Sequence, residues 1–437
     1  SAQKIGYPIM VKASEGGGGK GIRMVHTDEE CVNGYNQVIA EVIGSPVFLQ
    51  KLSQRSRHLE VQVLADAYGT AVHLYSRDCS VQRRHQKIIE EGPVVVAPAD
   101  VRRELEDGAV RLCEAVGYRS AGTVEYLYNG DEYFFLEVNP RLQVEHPVTE
   151  SITGINIPAC QLQVAMGIPL HRIADVRAYY GCDREGDDVI DFSNTRPNPP
   201  LCHCMAARIT AEDPEEGFEP SSGRITELAF RSQPNVSANF SISTTGEVHQ
   251  FADSQFGHVF ACGRTRDDAN RLLVHTLSEL TIRGEIANNV KYVANLLERP
   301  EFVANEHDTA WLDGLIATKH KPKPVPPQVA VLCGAIVQAV ECTRAAQEHA
   351  VGVLARGVSP SAQELRFNEL IFELIYNDVK YRLRVTRGSA DSFSVWCNGA
   401  LTKAHVVTLA DGGFLVTATN NGPLDHPAPT SGFSGLG

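Results

Sequence analysis

Polar and apolar residues alternate through residues 58–65, His-Leu-Glu-Val-Gln-Val-Leu-Ala, and again through 71–76 after a turn at 66–69. A two-residue period predicts a strand, so this pair predicts a hairpin. Residues 122–128 and 132–138 form a second pair around Asn129-Gly130, a dipeptide suited to the positive φ angles of a tight turn. Strands are predicted over 4–12 and 47–51, with a glycine-rich loop over 13–21. Helical periodicity predicts 28–43, capped by Asp28, and 101–116, capped by Asp100 with Leu105, Ala109, Leu112 and Val116 on one face. A helix over 155–166 stops before Pro169. Residues 174–200, rich in Asp, Gly, Asn and Pro, predict a surface excursion. Strands follow over 203–211 and 223–263, then helices over 267–280 and 286–297. Residues 318–327, Thr-Lys-His-Lys-Pro-Lys-Pro-Val-Pro-Pro, read as an extended linker. A helix over 329–353 and strands over 367–385 and 392–417 predict a separate domain. The Gly- and Pro-bearing tail 421–437 predicts poor order. The fold class is α+β.

The 437 residues suffice for two or three domains, and a formal charge of -13 argues against general affinity for nucleic acid. No uninterrupted apolar stretch approaches the ~20 residues that cross a bilayer, so no membrane span is expected. The start, Ser1-Ala2-Gln3-Lys4, has neither an initiator Met nor a signal-peptide core. A strand follows almost at once, so the expectation is an excerpt from a longer chain. Among 11 cysteines, Cys202-His203-Cys204 is the one tight cluster. Strand alternation sends both cysteines to one face and His203 to the other, which favours buried thiols in a reducing compartment over zinc.

Chemistry concentrates in three places. Lys12-Ala-Ser-Glu-Gly-Gly-Gly-Gly-Lys-Gly21 follows an apolar strand. Bare backbone N–H groups there can approach phosphate oxygens, with Lys12 and Lys20 adding charge; the bland reading is a flexible turn. The order is neither a P-loop nor a dinucleotide fingerprint. Glu125 and Glu137 sit among core-type residues in paired strands, and Asn139 shares the face of Glu137. Such a set suits a hard cation carrying polyphosphate, against the alternative of a water-facing sheet. If extended, Arg141, Gln143 and Glu145 align an anion-binding fork, an amide and a base, or else form a surface charge ladder. Residues 77–87 are dense in cations that serve an anion or face solvent. His58 alone proves little.

Together these motifs resemble the biotin carboxylase part of biotin-dependent carboxylases, in the ATP-grasp group. The resemblance covers about residues 1–315 and rests on 77–91, 137–150 and the glycine loop. Phe251-Ala-Asp-Ser-Gln-Phe-Gly-His258, Leu280-Thr-Ile-Arg-Gly-Glu285 and the domain after 325 point to the large eukaryotic acetyl-CoA carboxylases. The resemblance implies an ATP-grasp nucleotide-binding part over 1–150, lacking the family's N-terminal lobe. It also implies a biotin carboxylase C-terminal subdomain over 151–315, a linker over 316–327, an interaction domain of helix plus barrel-like sheet over 328–420, and a tail.

Carried over residue by residue, it puts ATP at Lys12, Gly17, Gly18, Gly19, Gln50, Lys51, Leu52, His58, Gln82, His85 and Leu127. Two Mg2+ or Mn2+ ions fall to Glu125, Glu137 and Asn139. Bicarbonate falls to Lys87, Arg141, Gln143, Val144 and Glu145, with Glu145 as base, Arg141 as stabiliser of deprotonated biotin and Lys87 as a catalytic cation. Bicarbonate would attack ATP, and the carboxyphosphate formed would break down beside biotin carried on a separate domain. The product serves malonyl-CoA formation for fatty acid synthesis. Implied partners are the biotin carrier, carboxyltransferase domains and a second copy in a homodimer. The implied setting is cytoplasmic, or a plastid.

Two departures stand out. Bacterial relatives place a biotin-touching arginine in the strand near 235–242, where this chain reads Asn-Val-Ser-Ala-Asn-Phe-Ser-Ile. The missing lobe predicts that residues 1–437 alone do not turn over. The alternatives are another acyl-CoA or pyruvate carboxylase, an ATP-grasp enzyme joining a carboxylate to an amine, or a noncatalytic scaffold segment.

Overall fold

The computed structural model describes residues 2–16, 20–53, 55–83, 86–130, 132–243, 246–249, 253–318, 325–361, 369–377, 379–389, 391–397, 399–408 and 414–420. The chain divides into two compact units, Ser1–Pro322 and Lys323–Gly437.

The first unit opens with a short helical turn, Ala2–Ile5, where the sequence predicts strand from residue 4. Strands β1 (Ile9–Ala13), β2 (Ile22–Val25) and β3 (Val47–Lys51) form an antiparallel sheet with β1 central. Helix α1 (Asp28–Glu41) covers it, placing Val38 among Ile9, Val11 and Val25. Its cap is Thr27, not Asp28: the Thr27 hydroxyl accepts from the Glu30 N–H at 3.2 Å. Asp28 instead occupies the first turn, where a negative charge meets the positive end of the helix dipole.

The rest is built on an eight-stranded antiparallel sheet. Its strands are β4 (Arg57–Ala65), β5 (Ala71–Arg83), β6 (Gln86–Gly92), β7 (Ser120–Tyr128), β8 (Tyr133–Asn139), β9 (His203–Thr210), β10 (Val236–Phe240) and β11 (Gln255–Gly263). The spatial order is β10-β11-β9-β6-β5-β4-β7-β8. Both expected hairpins form, with Gly130 in the turn of the second at φ +100°.

Helix α2 (Ala99–Val116) covers β4 and β5, burying Leu105, Ala109 and Cys113 with Leu59, Val61 and Val124. That stripe advances four residues at a time. Val116 falls off it and is exposed, and Pro98 rather than Asp100 stands at the cap position. Helix α3 (His146–Thr153) lies beside β5, β6 and β9, with Val148 and Ile152 against Cys204, Ala206 and Phe260. On the opposite side of β9 and β11, helix α4 (Arg266–Glu279) packs Leu273 and Leu277 against Ala207, Val259 and Ala261. The helix expected over 286–297 begins only at Val290.

The second unit pairs helix α5 (Pro327–Ala355) with five antiparallel strands: β12 (Glu369–Tyr376), β13 (Val379–Arg387), β14 (Ser392–Cys397), β15 (Ala400–Thr408) and β16 (Phe414–Asn420). By length and composition α5 is apolar enough to cross a bilayer, although Gln338, Glu341 and Arg344 interrupt its apolar run. Its Val331, Ala335, Ile336 and Ala339 pack with Leu383, Val385, Phe393 and Val395. That is the packing of a core helix under a sheet.

Candidate active site

The large sheet buries the polar half of its alternation as well as the apolar half. Every residue of β4 is buried, so His58, Glu60 and Gln62 are as enclosed as Leu59, Val61 and Val63. Glu60 stands opposite Glu125 on β7 and opposite Arg77 on β5. Facing carboxylates repel and lose hydration, so cations must hold them there. Arg77, fully buried, donates from Nε to Glu60 at 2.8 Å. It also reaches Gln62 at 2.8 Å, Thr149 at 2.7 Å and Gln143 at 3.2 Å.

Lys87 completes the balance. Its Nζ contacts Glu60, lies 3.1 Å from Glu125 and reaches Glu145 at 2.5 Å. Burial opposes the lysine charge, but the three carboxylates outweigh it and hold the Lys87 pKa well above the ordinary value. The converse holds at Glu125. Burial pushes its carboxyl up, and His58 and Lys87 more than reverse that. Asn139 and Gln143 also donate to one Glu125 oxygen, at 2.9 and 3.2 Å.

Glu145 immediately precedes α3. Its carboxylate bridges Lys87 and Arg208, the latter at 2.8 Å. Burial and Glu60 raise its pKa, and the cations Lys87, Arg208 and Arg77 bring it below the usual range. Arg208 is held from behind by Glu90, whose other oxygen lies 3.1 Å from His258. The result is a continuous row of alternating charge, His258–Glu90–Arg208–Glu145–Lys87–Glu125.

Glu137 is directly opposite Glu125 in the β7–β8 ladder. It is half-buried, and among the described residues no hydrogen bond or ion pair engages it. Burial and Glu125 push its pKa up, while Lys12 acts the other way. Lys12, buried on β1, points its Nζ toward Gln50 at 3.5 Å. His58 Nε2 lies 3.2 Å from Glu125 but out of line for a hydrogen bond, leaving that buried nitrogen unsatisfied. The unengaged Glu137 carboxylate opposite Glu125, with the Asn139 amide 2.9 Å from Glu125, makes a donor set that fits a divalent cation, and the orphaned His58 nitrogen can meet a phosphate oxygen.

The fold thus gathers Lys87, Glu125, Asn139, Gln143, Glu145 and His58, with Glu137 beside them. It does not form the extended row expected over 141–145. The backbone bends after Asn139, so Gln143 and Glu145 turn inward while Arg141 and Val144 remain exposed. Arg141 donates only to its neighbour's carbonyl, Leu142 O, at 3.3 Å. Gln82, opposite Lys87, donates to Cys79 O at 2.8 Å. Leu127 is half-buried opposite His58, Leu52 is half-buried beyond β3, and Lys51 is exposed. Gly17, Gly18, Gly19 and His85 lie outside the described residues.

Three site residues escaped the sequence reading: Glu60, Arg77 and Arg208. A charged residue between core-type neighbours, Leu59 and Val61, signalled Glu60 in the same way as Glu125. Arg77 lies in a segment whose cations were assigned either to an anion or to solvent, yet it is fully enclosed. Arg208 lies on β9 between Glu90 and Glu145, away from the segment 235–242 where an arginine was sought. That segment forms β10 at the sheet edge, whereas β9 adjoins β6 and delivers its guanidinium to Glu145. A separate cavity of about 650 Å³, lined by residues including Arg57, Tyr128, Asn305 and Trp311, does not contain these charges.

Known proteins share this arrangement of domains. Residues 1–173 match the carbamoyl-phosphate synthase L chain ATP-binding domain, 206–314 the biotin carboxylase C-terminal domain, and 326–422 the acetyl-CoA carboxylase BT domain. Acetyl-CoA carboxylase of Schizosaccharomyces pombe is 51% identical over 425 residues, covering 95% of this chain and 19% of that protein. The Dictyostelium discoideum acetyl-CoA carboxylase is 51% identical over 423 residues, with 95% and 18% covered. The chain therefore spans about a fifth of the length of these relatives. Among solved structures, the biotin carboxylase domain dimer of Hydrogenobacter thermophilus 2-oxoglutarate carboxylase, in complex with MgADP, ADP and bicarbonate, superposes with a TM-score of 0.63. It is 31% identical, with 74% of this chain and 67% of that one covered.

Proposed function

This chain belongs to the biotin carboxylase family, and on that premise we propose that it carries out ATP-dependent carboxylation of carrier-bound biotin by bicarbonate, the first half-reaction of an acetyl-CoA carboxylase. The observation that carries the proposal is the placement of the Glu125–Glu137 pair beside the Lys87–Glu145–Arg208 row. Nucleotide phosphates and a small anion then meet on one buried face.

In this reading Lys12 and His58 hold nucleotide phosphates, with Gln82 and Leu127 nearer the base. Glu125, Glu137 and Asn139 hold Mg2+ or Mn2+, which when bound screens the triphosphate charge. Bicarbonate enters among Lys87, Arg208 and Gln143, with exposed Arg141 free to swing over it. The anion competes with Glu145 for the two cations. As they turn toward bicarbonate, the suppression of Glu145 basicity is relieved, and the carboxylate can take the bicarbonate proton. The resulting oxyanion attacks the terminal phosphate; a new O–P bond forms as the bond to ADP breaks. Lys87 and Arg208 stay beside the charge throughout, as preorganised electrostatic stabilisation requires. Biotin, supplied by a carrier domain of the longer polypeptide, is the carboxyl acceptor, and carboxyltransferase domains use the product. The acetyl-CoA assignment draws support from the BT-domain match.

The test uses the natural full-length polypeptide containing this chain. Bicarbonate- and biotin-dependent ADP release should fall at least about a hundredfold in Glu145→Gln, the usual scale for loss of a general base. Unchanged dependence on both substrates in that variant would refute the assignment.

A further inference from the structure

Three thiols converge behind α3, away from the charge row. Cys204 on β9 is directly opposite Cys262 on β11. Cys202, two residues earlier, shares the Cys204 face by strand alternation. Both Cys202 and Cys262 pack on the cluster formed by Val148, Ile152, Cys204 and Phe260. His203 turns to the other side and pairs with Glu91 at 3.1 Å. The expected split between thiols and imidazole is therefore present.

The trio is not arranged as a metal cage, because no group of metal-holding side chains among the described residues includes it. Cys262 instead faces Cys204 across the ladder, with Cys202 on the same cluster. The neighbouring Cys202 and Cys204 thiols pull its pKa below the ordinary thiol range, against the burial that opposes ionisation. The same contacts push Cys202 and Cys204 up. Of the three thiols, Cys262 is therefore the one favoured to ionise. Cys262 is half-buried, within reach of a small oxidant, whereas Cys204 is fully enclosed. Residues directly opposite in an antiparallel ladder have Cα separations of about 4.5–5.5 Å, inside the range a disulfide spans. Cys202 is diagonal to Cys262, a longer reach, and its S–H lies 3.4 Å from Ser151 O on α3.

We propose that Cys262 is a site of reversible oxidation by hydroperoxides, resolved as a disulfide with Cys204. The Cys262 thiolate attacks one peroxide oxygen. The O–O bond breaks, and the other oxygen leaves as water or an alcohol after taking a proton. The sulfenic acid on Cys262 is then attacked by the Cys204 sulfur. The S–O bond breaks, water leaves with the thiol proton, and an S–S bond remains. Two thiols have lost two hydrogens, and the hydroperoxide has been reduced. The site is independent of the carboxylation chemistry.

The experiment treats the natural polypeptide with dilute hydrogen peroxide, blocks free thiols with iodoacetamide and maps the peptides by mass spectrometry. Cys262 should be consumed roughly tenfold faster than the half-buried thiols Cys31, Cys182 and Cys333. A peptide pair joined through Cys204 and Cys262 should appear and vanish with dithiothreitol. Direct alkylation near pH 6 should show the same preference for Cys262, with no variant needed. In Cys204→Ser the crosslink should be lost and dimedone should capture a sulfenic acid on Cys262. Oxidation of Cys262 no faster than the three reference thiols would overturn the proposal. So would a wild-type crosslink to Cys202 in place of Cys204.

Discussion

Two antiparallel sheets in this chain share a pattern of alternating polarity and use it in opposite ways. In the five-stranded sheet of the second unit the polar half faces water. Lys380 and Glu373 meet at 2.6 Å, yet their side chains are 61% and 49% exposed. Arg384 and Glu369 are similarly open at 3.7 Å. In the eight-stranded sheet the polar half is enclosed. Glu60, Arg77, Gln62 and Glu90 are all without exposure. Exposed pairs contribute about 0–1 kcal/mol. Breaking an enclosed pair costs several times more, because a desolvated charge is left behind. Alternation alone therefore marks a strand, whereas enclosed charge on both sides of a ladder marks a site under functional constraint.

The sharpest way to break this contrast is Arg77→Met. It leaves Glu60, Gln62, Thr149 and Gln143 without their shared donor, and should lower unfolding stability by about 3–5 kcal/mol in urea titration. A loss below about 1 kcal/mol would mean that the enclosed sheet behaves like the open one.

A smaller effect is expected at Glu106. It is buried beside Ser76 at 3.0 Å, and burial raises its pKa to about 7 from 4.5. The folded state favours its protonated form. Its stabilising contribution is thus full below the unfolded pKa and is lost as pH rises through about 7. Between about pH 6.5 and 8, wild type should lose about 1 kcal/mol that Glu106→Gln retains. His73 is displaced the other way, to about 4 from 6.5 by burial, so its contribution weakens only as pH falls below that window. Equal pH slopes in the two proteins would remove Glu106 from the account. At the small end, Lys380→Ala should change stability by no more than about 0.5 kcal/mol, and a loss above about 2 would make the open sheet as charge-dependent as the enclosed one.

The same contrast explains what the sequence made legible. The Asn129-Gly130 turn set the register of β7 and β8 only as far as Tyr126 and Phe135, so the nearness of Glu125 and Glu137 followed from local text. Their direct pairing depends on a bulge at Leu136 that no local pattern announces. Gln143 and Glu145 were found because they follow that hairpin directly. Glu60, Arg77 and Arg208 depend on which distant strands become neighbours. The placement of β9 beside β6, after more than a hundred intervening residues, is set by packing of α3 and α4 on opposite faces rather than by any local period. The extended row over 141–145 failed for a local reason, since the chain must bend there to start α3. Thr27 displaced Asp28 as a cap by one residue, within the usual uncertainty of helix ends. Helix α5, expected over 329–353, runs two residues farther at each end, and scattered polar residues interrupt its apolar run.

The central claim is that the facing Glu125–Glu137 pair receives the divalent cation that accompanies nucleotide. Electron paramagnetic resonance of Mn2+ titrated with ADP into the natural full-length polypeptide tests it directly. The account predicts an enzyme-bound Mn–nucleotide signal in wild type and in Lys380→Ala, and binding at least about tenfold weaker in Glu137→Gln. Wild-type affinity in Glu137→Gln would contradict it.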